Sequence, residues 1–168
     1  MTHALIWFRR DLRLADNTAL RAALDSNMCP VPVYIHDPAL APEGAASQWW
    51  LHHSLHALQQ DLRRIGSDLL ILTGNSHTEL MTAALACNAS HVFWNRRYAP
   101  AAVAQDTATR TKLGKAGHEV ESFPGNLLRD PWTLAKHDGT PYRVFTAFYR
   151  ELTTSTPVDM PLPAPDAL

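Results

Sequence analysis

Two arginine pairs stand directly after short apolar runs in this sequence. Arg9–Arg10 follows Ala4–Phe8 and precedes Asp11, and Arg96–Arg97 follows His91–Asn95 and precedes Tyr98. Guanidinium forks bind anions with two parallel hydrogen bonds and lie flat on ring faces. Arginines beside Phe8 and Tyr98 therefore suit a planar, anionic, heteroaromatic ligand. Asn95 closes the second of these runs and Asp37 follows a third, Val31–Ile35, which makes Phe8, Arg9, Arg10, Asp11, Asp37, Asn95, Arg96 and Tyr98 the candidate ligand-binding set. The alternative is that Arg9 and Arg10 pair with Asp11 and Asp37 and merely close the structure.

Other chemistries lack their residues. No Gly-x-Gly-x-x-Gly and no Gly-Lys-Ser loop follows a strand pattern, so a nucleotide-like ligand must be held by helix N-termini and side chains. His52 and His56 share a helix face with His53 between them, but a zinc site needs a third ligand, and the Glu that zinc hydrolases place beside such histidines is missing. We read them as a helix face. Asp11, Asp16 and Asp37 form no recognisable acid–base pair, and neither a serine elbow nor a Cys–His pair is present. Cys29 and Cys87 make neither a disulfide framework nor a metal site, and fit two reduced thiols. No residue of this chain is expected to be catalytic, and no metal site is expected.

The elements that must position the candidate residues follow from periodicity. Ala4–Phe8, Val31–Ile35, Asp68–Thr73, His91–Asn95 and His118–Phe123 are short apolar runs that read as strands buried on both faces. Between them lie helical patterns. One is capped by Asp16 or Asn17 and carries Leu20, Ala23 and Leu24. The next carries Leu51, Leu55, Leu58, Leu62 and Ile65 on one face and ends at Gly66. A Ser76–Glu79 capping box opens the third, which runs to about Cys87, and Pro100 opens the fourth, which ends near Gly114 and Gly117. A last helix is expected over Val144–Leu152. Trp49–Trp50 is expected to pack against the sheet; an exposed pair would instead mark an interface. The alternation implies right-handed crossovers and an α/β fold: a five-stranded parallel, Rossmann-like sheet in a three-layer α/β/α sandwich, with Trp7 and Trp94 on inner strands. Such sheets bind ligands beyond the carboxyl ends of their strands, where the candidate residues fall.

The 168 residues favour one domain, and a hydrophobic share of 46% excludes a disordered chain. A net charge of -1 excludes a globally basic nucleic-acid binder. Charged residues are only 18%, against about 25% in an average domain, so extra surface is expected to be covered by another domain, a ligand or a second copy. No run approaches the roughly 18 apolar residues of a membrane span, and the first apolar run is too short for a secretory signal, so a cytoplasmic protein without membrane contact is expected. From Thr153 the chain turns Pro-rich, with four of its 12 prolines, as an interdomain linker over 153–168 behind a domain of 1–152.

Several motifs resemble, in order, the DNA photolyase and cryptochrome family. They are Leu5–Leu14 (LIWFRRDLRL) with Asp16–Asn17 and Ala19–Leu20, Val33–Pro38, Trp50–Leu55, Leu69–Gly74, Phe93–Asn95 with Tyr98 and Asp106, Asn126–Leu128, and Gly139–Phe148 (GTPYRVFTAF). The resemblance implies an N-terminal α/β antenna domain that carries a pigment (a folate, a deazaflavin or a flavin) and passes excitation to FAD in a helical C-terminal domain absent from this chain. There, excited reduced FAD splits a cyclobutane pyrimidine dimer flipped out of the duplex. The expected partners are that FAD domain and, through it, damaged DNA; this domain alone is expected neither to touch nucleic acid nor to catalyse repair. Ala101 and Ala102 replace the Asn–Glu pair of folate binders, Arg96–Ala99 replaces the acidic residues of deazaflavin binders, Ser47 or Gln48 replaces an arginine, and Ala147 and Tyr149 replace Pro and Trp. A deazaflavin or flavin is therefore expected before a folate, with an empty cleft as the alternative. The rival functions are a cryptochrome-type photoreceptor and a stand-alone pigment- or nucleotide-binding module.

Overall fold

The computed structural model describes residues 2–38, 44–154 and 160–168. Strands and helices alternate: β1 His3–Phe8, α1 Thr18–Asp25, β2 Cys29–His36, α2 Ala45–Arg64, β3 Leu70–Thr73, α3 Ser76–Ala86, β4 Ala89–Asn95, α4 Pro100–Lys115 and β5 Glu119–Phe123, then a 3₁₀ turn at Pro131–Leu134 and α5 Phe145–Thr154. The five strands form one parallel sheet, as the sequence implied, and the structure arranges them in the order β3-β2-β1-β4-β5.

The continuous apolar run of β1 serves both faces. Leu5 and Trp7 enter a core with Leu80, Ala83, Ala84 and Leu113 of α3 and α4, while Ala4, Ile6 and Phe8 enter a second core with Leu20, Ala23, Leu58 and Leu62 of α1 and α2. Alternate residues of a strand face opposite sides, so a central strand covered twice has no polar face. Trp7 and Trp94 meet edge-to-face at 5.5 Å on the inner strands β1 and β4. The leucine stripe of α2 faces the core as expected: Leu58 and Leu62 are 2% and 0% exposed.

Some boundaries differ from expectation, for local reasons. β2 begins at Cys29, before Val31, and carries Pro30 and Pro32 although it is an inner strand. Cys29 N–H donates to Thr2 O, so the odd-numbered amides of β2 point at β1 and the even ones at β3. β3 does not pair until Val33↔Leu70, so both prolines occupy positions where no amide is needed. The cap of α3 is Asn75, whose side chain accepts from Thr78 N–H, in place of the Ser76–Glu79 box; Ser76 is already the first helical residue. β4 starts at Ala89, two residues early, and α5 spans Phe145–Thr154, displaced from Val144–Leu152. Trp49 and Trp50 do not pack on the sheet; they are 62% and 70% exposed, Trp49 against the His53 ring.

Of the Pro-rich stretch, residues 155–159 lie outside the described residues. The remainder, 160–168, is attached to the domain: Asp16 N–H donates to Leu162 O, Leu168 N–H donates to Ile65 O, and the Leu168 side chain joins the second core. No helix among the described residues is long and apolar enough to cross a membrane.

Candidate functional site

The strand order reverses between β1 and β4, so the crevice at a topological switch point lies beyond Phe8 and Asn95. Two buried networks occupy it. In the first, the Asn95 amide donates to Asp11 (2.7 Å) and Asn17 (3.0 Å), and its Oδ1 accepts from Thr18 Oγ1 (2.8 Å) and Ala19 N (3.0 Å). Asp11 also accepts the Arg9 backbone N–H at 2.9 Å, and Asn17 caps α1. Asn95 thereby bolts the end of β4 to the start of α1, with every polar atom satisfied as a 1% exposed amide requires. Gly125 leaves no alternative there: a Cβ on it would meet Asn95 Cγ at 2.8 Å.

The second network lies on the α3–α4 side. Arg9 donates to Asp106 at 3.0 Å and to the Asn95 carbonyl, and its guanidinium lies 4.5 Å from the Trp7 ring centre. Arg97 shares Asp106, donates to Gln105 at 2.8 Å, and lies 5.7 Å from the same ring. Gln105 donates to Ser76 Oγ (3.2 Å), and Ser76 donates its N–H and Oγ–H to Asp37. Asp37 thus sits at the positive end of α3, where a carboxylate is favoured. Burial lowers the Arg9 pKa to about 10 while Asp106 acts against the shift, so Arg9 stays charged at neutral pH. Two guanidinium groups share Asp106, and the Nε–H of each, with the Trp7 indole N–H, is buried with no acceptor among the described residues.

An open slot lies one strand over. It is about 160 Å³, between Val103, Thr107 and Arg110 of α4 and the Arg96–Tyr98 turn, with Trp94 of the core and Arg97 and Asp106 of the second network reaching it and Trp132 at its lip. Arg96 donates to Ser122 O (2.7 Å) and Asp130 (2.8 Å), and lies 5.6 Å from the Trp132 ring centre. Tyr98 hydrogen-bonds Asp130 and sits 6.0 Å from Trp132. Burial, reinforced by the Asp130 carboxylate, pushes the Tyr98 hydroxyl up to about 12, so it is a neutral donor throughout the physiological range. Trp132 is 61% exposed, an aromatic face open to a planar group.

The structure therefore sorts the eight candidate residues. Arg9, Asp11 and Asn95 converge in the buried networks, and Asp37 joins through Ser76 and Gln105. Arg9 pairs with Asp106, not with Asp11 or Asp37 as the structural alternative supposed. The Phe8 side chain points into the second core, and Arg10 is exposed. Arg96 and Tyr98 line the slot. The set omitted Arg97, Arg110, Asp130 and Trp132; Asp130 and Trp132 lie in the irregular stretch after β5, where no periodicity marks them. His52, His53 and His56 lie on the exposed face of α2, and no group of three metal-ligating side chains converges among the described residues.

A family model described as DNA photolyase matches residues 4–166. A deoxyribodipyrimidine photo-lyase of Agrobacterium fabrum is 42% identical over 164 residues, covering 98% of this chain and 34% of that protein. Cryptochrome-2 of Arabidopsis thaliana is 34% identical over 165 residues, covering 96% of this chain and 27% of that protein. The crystal structure of a bacterial class III photolyase from Agrobacterium tumefaciens superposes with a TM-score of 0.93 at 41% identity, covering 99% of this chain and 35% of that one. The chain spans about a third of the length of the relatives it matches.

Proposed function

The chain belongs to the DNA photolyase family, and we propose that it is the light-harvesting domain of a photolyase that splits cyclobutane pyrimidine dimers with FAD held by a helical domain further along the polypeptide. The observation that carries this reading is the slot at the carboxyl edge of β4 and β5. It combines what a planar anionic pigment requires: the open face of Trp132, the neutral Tyr98 hydroxyl, and the positive field of Arg96, Arg97 and Arg110.

A pigment bound there supplies absorption of visible light and hands the excitation to FAD. The protein's part is to orient it. At about 160 Å³ the slot is smaller than the ~300–1,000 Å³ of a typical ligand pocket, so it takes one ring and leaves the remainder on the surface. Arg97 and Asp106 reach the slot, and Arg9 behind them completes a rigid floor. Low reorganisation of that floor keeps the ring in one orientation, which directional energy transfer needs. A flavin or deazaflavin is favoured over a folate, because Ala101 and Ala102 at the start of α4 carry no side-chain acceptor for a pterin.

Titration of the 168-residue protein with a flavin, a deazaflavin and a folate, followed by pigment fluorescence, tests the assignment. Saturable binding that weakens at least tenfold in Trp132→Ala supports it. Equal affinity in parent and variant refutes the slot. A photoreceptor role is the second reading, favoured by the similarity to cryptochrome-2; it assigns this domain the same slot and pigment.

A further inference from the structure

We propose that α5 is a docking helix whose apolar stripe is covered by the domain that the longer relatives carry beyond the matched third. The proposal rests on the photolyase-type reading only for the existence of that domain. Phe145, Phe148, Tyr149 and Leu152 fall at i, i+3, i+4 and i+7, one face of a helix. Yet no residue of α5 is buried. Phe145 and Tyr149 are 73% and 54% exposed, stacked on each other at 5.7 Å, and the helix packs chiefly on the Pro131–Leu134 turn. Ten residues are too few for an isolated helix to persist in water, so its stability must come from packing on that stripe.

The size of the stripe selects the occupant. At roughly 150–250 Å² per buried aromatic, with Phe148 already half-covered, it falls short of the ~800 Å² per partner that a stable association between separate proteins buries. A second copy of this chain is thus poorly served. A domain on the same polypeptide meets the stripe at millimolar effective concentration and needs no such area. The chain matches only 34% of the Agrobacterium fabrum photo-lyase, which leaves two thirds of that protein to supply the cover. The stripe itself carries no cation, so it does not suit a nucleic-acid backbone.

Hydrogen exchange tests this on two intact proteins: the 168-residue chain, and a chimera in which it replaces the matched third of the Agrobacterium fabrum photo-lyase. In the short chain, α5 amides should exchange at least a hundredfold faster than those of α1, independent of protein concentration. In the chimera they should slow at least tenfold, and Phe145→Ser/Tyr149→Ser should abolish the slowing while α1 keeps its protection. Strong α5 protection in the short chain, protection that grows with its concentration, or an unprotected α5 in the parent chimera would each overturn the proposal; the second outcome would assign the stripe to a second copy. Pigment affinity of the same double variant separates the two readings, since docking predicts a change of less than twofold.

Discussion

Asp106→Asn tests the buried charge network from which the floor of the slot is built. Asp106 binds Arg9 at 3.0 Å and also binds Arg97, with side-chain exposures of 13%, 7% and 18% for Asp106, Arg9 and Arg97. The substitution keeps the shape and one acceptor oxygen but removes the negative charge both guanidinium groups share, so two cations then face each other beside Trp7. Exposed ion pairs are worth about 0–1 kcal/mol, whereas stripping a buried charge of its partner costs about 3–5 kcal/mol. The retained acceptor places the expected loss near the lower end, about 3 kcal/mol, against ~5–15 kcal/mol for a whole domain. Urea unfolding followed by tryptophan fluorescence should show a lower midpoint at unchanged slope. Adding Arg97→Met should restore at least ~1 kcal/mol by relieving the repulsion. A loss below about 1 kcal/mol, or strictly additive effects, would show that the two arginines do not depend on Asp106.

Three further outcomes follow from packing and titration. Leu58→Ala should cost about 2–5 kcal/mol in the same assay, because Leu58 is 2% exposed in the second core; a loss under ~1 kcal/mol would mean that α2 does not press on the sheet. Gly125→Ala should cost about 1–3 kcal/mol, because its Cβ would meet Asn95 Cγ at 2.8 Å and Asn95 cannot yield without breaking its hydrogen bonds; an unchanged thermal midpoint would contradict that locking. One tyrosine, Tyr98, should titrate at about 12 in tyrosinate absorbance, and Asp130→Asn should bring it down towards its ordinary value. The folded state holds that proton more tightly than the unfolded one, so this contribution to stability is complete below the ordinary tyrosine range near 10 and disappears as pH rises to about 12.

The sheet was legible because its strands are buried on both faces. Ala4–Phe8 has no polar position, and such a run admits few readings once helical stripes flank it. Pro30 and Pro32 hid the start of β2, because proline argues against an inner strand unless the neighbour on its amide side begins later, which is a tertiary fact. The site was legible only as far as strand ends go. Arg96 and Tyr98 could be placed at the carboxyl edge from position alone, but whether a guanidinium faces ligand or carboxylate depends on residues distant in sequence. Asp106 is 97 positions from Arg9, and entered only through the family resemblance. Trp132 and Asp130 lie in a stretch without period. Trp49 and Trp50 were misplaced because an aromatic pair at a helix start packs inward when neighbours enclose it, and the first turn of α2 is exposed throughout.

The central claim is that a pigment occupies the slot between α4 and Trp132. The indole N–H resonances of the five tryptophans report on it directly, since Trp94 and Trp132 line the slot whereas Trp49 and Trp50 stand exposed on α2. Saturating the protein with the pigment that binds most tightly should shift the Trp94 and Trp132 signals and leave those of Trp49 and Trp50 in place. Movement of Trp49 or Trp50 with Trp132 unchanged would put the pigment elsewhere and contradict the account.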